Sequence, residues 1–566
     1  VKAYSIVPAM RSWFEAACVL VVAVILWSVP TPNFAYDTAP TDLRLDRLDA
    51  RSLSEAPVAS HAAAPAKDQA RFPRSSGVLL HPTSLPGPYG IGDLGPEARR
   101  FVDFLALAGQ TLWQTLPIGP TGYGDSPYQG MSALAGNPLL VSPDELVRAG
   151  LLPKEELLNV PSFPQDKVQF EAVIEFKNRL LSSSFRHFRN SGSAEQRADF
   201  ARFVELNRSW LDDYAMFRAV SEHHKGAPWT TWERGLALRE PDVMRQWRER
   251  LSDEIEKHKF VQYQFFSQWR ALKSYANSRG VRIVGDIPIF VSHNSVDVWA
   301  NPRLFEIDEH GEMTLVAGVP PDPLNRDGQV WGTPLYHWPA HAADGYKWWI
   351  ERFRMMLRLA DIVRVDHFRG FAACWAVPAY GIAANGQWVS SPGDALFRSL
   401  RAALGDLPII VEDIGVITPD VEALRDGFGL PGVKVLQAAF DSEATPLDLP
   451  HRFVANSVVY TSTHDSDTIR GWIEKAEPKE RERALQYVGS DGKDMAWDII
   501  RLAESSVSCI AIAPVWDLLN LGSEARMNRP GVALGNWSWR FTQGQLDGKV
   551  AARIRKICET SGRVAR

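Results

Sequence analysis

Four carboxylates in this chain sit in or at the end of apolar runs, where charge is costly unless it is paired or used. Asp366 lies in DIVRVDHF (361–368), Glu412 follows PIIV (408–411), Asp465 follows SVVYTSTH (457–464), and Asp286 interrupts RIVGDIPIF (282–290). Strand residues two apart share a face, so Arg364 and Asp366 should point the same way. A guanidinium beside Asp366 would keep it ionised at neutral pH, the state a nucleophile needs. An apolar approach would raise the pKa of Glu412 and hold a proton on it, as a general acid requires. Asp413 should face the other way. His464 beside Asp465 suits the binding of hydroxyls. Glycosidic chemistry uses one ionised and one protonated carboxyl across the bond. These residues therefore fit a site with Asp366 placed to attack an anomeric carbon and Arg364 keeping it charged.

Each motif also has a plainer reading. An isolated R-x-D is more often a structural ion pair. A glutamate after a strand is as often simply exposed in the next loop. The pair His464–Asp465 could precede a helix as its N-cap, a place Asp467 or Thr468 would fill equally well. A metal site from His293, His367 and His464 has no supporting ligand spacing, so no metal is expected.

Such acids meet only if the elements carrying them share one rim. Eight β-like runs occur at 76–81, 111–118, 282–290, 361–368, 407–415, 433–440, 457–465 and 507–515. Amphipathic stretches such as PEARRFVDFLALAG (96–109) and GYKWWIERFRMMLRLA (345–360) lie between them. This alternation predicts an α/β fold, a (β/α)8 TIM barrel, whose active sites lie at the C-terminal ends of the strands. The gap 119–281 is too long for one loop and predicts a mostly helical insertion, roughly 142–280.

Composition fits a large folded chain: 566 residues, 45% hydrophobic and 23% charged. A net charge of -5 gives no reason to expect nucleic acid or an anionic membrane as partner. The 20 tryptophans and 13 tyrosines can stack on sugars as well as pack cores. Cys18, Cys374, Cys509 and Cys558 show no CxxC spacing, which argues against a disulfide framework and a zinc knuckle. The N-terminal run AACVLVVAVILWSVP (16–30) is short for a membrane span. Lys2 and Arg11 precede it as in a signal peptide, but Glu15 abuts it. Residues 31–74 have no sustained period and read as a linker. Residues 1–74 are therefore expected to stand outside the catalytic fold, formed by 75–566.

The blocks RVDHFRGF, VEDIG and THDSDT resemble the catalytic blocks of the 4-α-glucanotransferases of glycoside hydrolase family 77, also called disproportionating enzymes or amylomaltases. Other blocks agree, among them SSGVLLHPTSLPGPYGIGDLG (75–95), PIGPTGYGDSPYQGMSALAGNPLL (117–140), GDIPIFVSHNSVDVW (285–299), GQVWGTPLY (328–336) and RMNRPGVALGNWSWR (526–540). The resemblance runs in order over roughly 75–545. It implies a retaining double displacement on α-1,4-glucans, in starch, glycogen or maltooligosaccharide metabolism. Asp366 would be the nucleophile, Glu412 the acid/base and Asp465 the third carboxylate, which holds sugar hydroxyls. Arg364, His367, His464 and Asp286 would line the same subsite. Ser126 and Tyr128 would contact the donor, and Asp322, Trp331 and Asn528 the glucan groove. Tyr123 resembles a residue of a second sugar site.

The implied partners are α-1,4-glucans and maltooligosaccharides, without nucleic acid, membrane, metal or organic cofactor. The implied setting is cytoplasmic, with export or organelle targeting through residues 1–35 as the alternative. Three departures stand out: Pro323 and Leu324 in PPDPLNRDG, Asn294 where aspartate is common, and Ser466 in place of asparagine. They leave the acids intact and imply an active enzyme with altered acceptor preference. A hydrolase on the same barrel and a glucan-binding protein with a dead site are the alternatives.

Overall fold

The structure, a computed structural model, describes residues 69–321, 326–440 and 449–564. The N-terminal apolar run and Asp322, Pro323 and Leu324 lie outside the described residues. The strands are β1 (Ser75–Leu79), β2 (Leu112–Gln114), β3 (Arg282–Ile287), β4 (Leu315–Val319), β5 (Gln329–Pro334) and β6 (Ile362–Val365). After them come β7 (Ala373–Pro378), β8 (Gln387–Ser390), β9 (Ile409–Val411), β10 (Gly432–Val435), β11 (Ser457–Tyr460) and β12 (Ile510–Pro514).

Eight of them close into a barrel in the order β1-β12-β11-β10-β9-β6-β3-β2. Every neighbouring pair in it is parallel. These are the eight runs expected from the sequence, and the α/β barrel is the fold. Strands covered on both faces are largely apolar, and all residues of β1, β6, β11 and β12 are buried. The helix Pro96–Leu107 starts on a proline, which suits its first turn, and buries Phe101, Val102 and Leu105. The helix Lys347–Leu359 buries Trp349, Phe353 and Leu359.

Register places the chemistry. Asp286 on β3 pairs with Arg364 on β6. One strand further, Val365 pairs with Val411, which brings the residues that follow, Asp366 and Glu412, to the same rim.

Between β2 and β3 the chain is mostly helical. Its longer helices are Phe170–Ser191, Ala194–Leu206, Arg208–His223, Pro241–Arg250 and Ser252–Ser278. Phe188 and Phe200 pack on Phe260 inside this insertion. Gln262 and Gln268, buried on the longest helix, each exchange two hydrogen bonds with backbone, at Gly136 and Ser142 respectively. The insertion thus anchors the segment that follows Tyr128.

A second sheet, β5-β4-β7-β8, is antiparallel and was not expected. It lies in the connections after β3 and β6, and β5 carries Trp331. The fold also begins earlier than residue 75. Phe72 is buried, Arg71 bonds Asp406 and the Leu407 carbonyl, and Arg74 bonds the carbonyls of Glu504, Ser506 and Ser561. Among the described residues, no helix is long and apolar enough to cross a membrane.

Candidate active site

Three neighbouring strands supply the centre. Arg364 is 4% exposed, and its Nη1 lies 2.5 Å from Asp286 Oδ2 and 3.4 Å from Asp366 Oδ1. Its Nη2 lies 2.6 Å from Glu412 Oε1. The other oxygen of Glu412 accepts the His367 backbone N–H at 2.8 Å. His367 has φ of 40°, a left-handed conformation that costs a non-glycine residue energy. That conformation aims its N–H at the acid. The ring of His367 meets Trp331 edge to face at 4.8 Å.

These contacts correct the protonation expected from sequence. Arg364 makes its close contacts to Asp286 and Glu412, and Asp366 has only the long one. Burial and then the Glu412 charge push the Asp366 carboxyl well above the usual range, despite Arg364. Burial also works to raise Glu412, but Arg364 and the His367 N–H outweigh it and hold the carboxyl down at about 2. The shifts of Asp366 and Glu412 therefore run opposite to those expected from sequence. Asp286 is raised by burial, and its Oδ1 has no hydrogen-bond partner. Three carboxyls around one guanidinium oppose one another's ionisation.

The loop after β11 brings the remaining acid. Thr461 and Ser462 donate to Asp517 Oδ2, each at 2.6 Å, and the Ile469 N–H donates to Oδ1 at 2.9 Å. Thr468, not Asp465, caps the following helix, by accepting the Gly471 N–H. Asp465 is left free for other work. Its Oδ1 accepts from Asn528 Nδ2 at 2.7 Å, and His464 Nε2 is 3.5 Å from its Oδ2. Arg526 fastens the same corner through the carbonyls of Asp465 and Asn528.

Tyr128 links the two halves. Its hydroxyl donates to Asp286 Oδ2 at 2.8 Å, and its ring stacks on His464 at 5.2 Å. Burial, then Asp286, raise the phenol well above its ordinary range, so it stays a donor. Ser126 Oγ accepts the Tyr128 N–H and shapes that turn. Burial lowers His367 to about 4, so it is neutral at pH 7.

The structure thus brings together Asp286, Arg364, Asp366, His367 and Glu412, and joins His464, Asp465 and Asn528 to them through Tyr128. Trp331 borders the group. Tyr123 stands apart from these contacts, 72% exposed on a turn. Of the departures, Asn294 accepts the Trp229 N–H and Ser466 Oγ accepts the Thr463 N–H, both local structural tasks. Two contributors were missed. Asp517 follows the eighth apolar run as APVWD, the same signal that picked out the other acids. Arg526 opens the block RMNRPGVALGNWSWR, but no local pattern gives it a role. Among the described residues, no cluster of His, Cys, Asp and Glu could hold a metal ion.

A family model described as 4-alpha-glucanotransferase matches residues 80–546. The chain belongs to the 4-alpha-glucanotransferase family. The family's protein from Synechocystis sp. is 48% identical over 495 residues, 87% of this chain and 98% of its own length. The one from Thermus thermophilus is 47% identical over 502 residues, 87% of this chain and all of its own. A relative from Solanum tuberosum, named chloroplastic/amyloplastic, is 42% identical and covers 87% of each chain. Among solved structures, the amylomaltase from Streptococcus agalactiae in complex with acarbose superposes with a TM-score of 0.84. It is 35% identical, covering 87% of this chain and all of its own.

Proposed function

We propose that Asp366, Glu412 and Asp465 carry the family's 4-α-glucan transfer by retaining double displacement. The Asp366 carboxylate attacks the anomeric carbon while Glu412 protonates the departing glycosidic oxygen. A glucosyl–Asp366 ester results. The Glu412 carboxylate then takes the proton of an acceptor 4-hydroxyl, whose oxygen displaces Asp366 and restores the α-1,4 bond. Asp465, with His464 and Asn528, holds donor hydroxyls. The observation that carries this reading is the placement of Asp366 and Glu412 at the ends of neighbouring strands around Arg364.

Burial and the Glu412 charge favour the protonated form of Asp366. The first step needs the proton on Glu412. A donor that draws Glu412 away from Arg364 removes the main influence holding its pKa down, and the proton can pass across. The substrates are α-1,4-glucans and maltooligosaccharides, bound along a groove bordered by Trp331, with Asp322 proposed as a further contact. The catalytic unit is the body from residue 75 to 566, with Arg71 to Arg74 fastened to it. Its setting is a compartment that holds α-glucan: the cytoplasm or, as for the potato relative named chloroplastic/amyloplastic, an organelle.

Maltotriose alone tests the reading. Water at ~55 M competes for the ester, but a well-oriented acceptor has an effective molarity of roughly 10⁵ M or more. Glucose plus a ladder of longer maltooligosaccharides is expected, with little rise in reducing ends. Reducing ends that climb in step with substrate loss, with nothing longer than maltotriose, would make the protein a hydrolase.

A further inference from the structure

The Trp537 ring packs beside Tyr128 and His464, the ring pair that joins the two halves of the site. Its centroid lies 5.9 Å from the Tyr128 ring and 6.0 Å from the His464 ring, and it is 6% exposed. Its φ is 63°, a left-handed conformation that a bulky residue avoids. The surrounding backbone enforces it. The Trp537 N–H donates to the Met527 carbonyl at 2.7 Å, the Ser538 carbonyl accepts the Val168 N–H, and Arg540 bonds the carbonyls of Leu85 and Gly87. Glycine would take this φ without strain. Strain held by over-determined surroundings at a functional site points to a task for the side chain itself.

We propose that Trp537 is a positioning residue for the glycosyl-transfer step. It fixes the Tyr128–His464 ring pair and, through it, both ends of the catalytic group. From Tyr128 the order passes through Asp286 and Arg364 to Glu412 and Asp366. From His464 it passes to Asp465. The Met527 bond adds a second hold, because the next residue, Asn528, bonds both the His464 carbonyl and the Asp465 carboxylate. Without the indole the two rings can rock, and the acids lose their common aim while each stays in place on its own strand. This role presumes the catalytic assignment above.

The test uses Trp537→Gly, which keeps the backbone conformation and removes the ring, and Trp537→Phe, which keeps a smaller ring. Trp539→Phe, two residues on and packed on Trp516, is the control for lost volume in the same segment. With maltotriose, Trp537→Gly should lose kcat by about 10²-fold, the size expected from a small misplacement of reacting groups. Its KM should change little and its near-UV circular dichroism should stay that of a folded protein. Trp537→Phe should fall between it and the wild type, and Trp539→Phe should match the wild type. In ¹³C-histidine-labelled protein, the ring-current-shifted His464 signal should move in both Trp537 variants and stay in Trp539→Phe. A folded Trp537→Gly with wild-type kcat would overturn the proposal. So would equal kcat losses in Trp537→Phe and Trp539→Phe, or a Trp537→Phe with an unmoved His464 signal. If Trp537→Gly does not fold, the two phenylalanine variants still decide. A wild type that makes no ladder from maltotriose fails the catalytic reading instead, separately from this one.

Discussion

Arg364 shows what spacing alone can and cannot say. Two residues along a strand put it on the face of Asp366, and that much was legible. Its preferred partners come from the strands to either side, Asp286 on β3 and Glu412 at the end of β9. Those partners depend on inter-strand register, which no local pattern encodes. The acids were legible because charge ending an apolar run is conspicuous; the seat of the proton was not, because it depends on which acid the guanidinium reaches. This has a measurable consequence. Asp366 is raised by burial and then by the charge of Glu412. Glu412→Gln removes that charge, so Asp366 should ionise at lower pH. A glucosyl fluoride donor needs little acid assistance and still needs ionised Asp366. Its glycosylation rate in Glu412→Gln should therefore keep an acid limb that lies at lower pH than in the wild type. A limb that stays put or moves up would show that the two carboxyls do not share their charge as the geometry implies.

The eight barrel strands were legible because strands buried on both faces are short apolar runs, and helices of clear amphipathic period separate them. The antiparallel sheet was not. β5 contains Gly332 and Pro334, and β8 (QWVS) faces solvent on most positions. Strands of this kind take their form from their neighbours more than from propensity. The loop after β11 is governed in the same non-local way. Its course is set by Asp517, which follows β12 and accepts three hydrogen bonds from Thr461, Ser462 and Ile469. Asp517→Ala would leave two buried hydroxyls and an N–H without their acceptor. A loss of about 1–3 kcal/mol is expected, the usual cost of stranding buried polar groups. Because the loop carries His464 and Asp465, kcat should fall as well, although Asp517 belongs to the neighbouring strand connection. Urea unfolding with the same slope and a lower midpoint, alongside maltotriose kinetics, checks both parts. An unchanged midpoint would mean that water replaces the carboxylate without cost.

The barrel must also be closed at its other end, away from the acids, where the first and last strands meet. There β1 pairs with β12, and Arg563, 1% exposed, donates to the carbonyls of Ser75, Glu504, Ser506, Ser508 and Cys509. Arg74 reaches the Glu504, Ser506 and Ser561 carbonyls from the other terminus of the fold. This clasp explains why the fold starts before residue 75, which the featureless composition of 31–74 did not reveal. Glu504 faces the two arginines in it. Its Oε1 accepts from Ser76 Oγ at 2.6 Å, and its Oε2 lies 3.2 Å from Arg563 Nε. Burial raises its carboxyl from 4.5 to about 7, against the pull of Arg563. The folded state therefore binds this proton more tightly than the unfolded chain does. The stability it contributes is fully present below about pH 4.5 and is lost as pH rises through about 7. Glu504→Gln keeps an acceptor for Ser76 and cannot titrate, so it should lack this pH dependence. Relative to the variant, the wild type should lose stability between pH 4.5 and 8, by an amount of the order of 3 kcal/mol from the size of the shift. Melting temperatures of the two proteins at pH 5 and pH 8 measure it. The wild type should stand highest relative to the variant at pH 5, and a gap that is the same at both values would mean that Glu504 is already ionised inside the clasp.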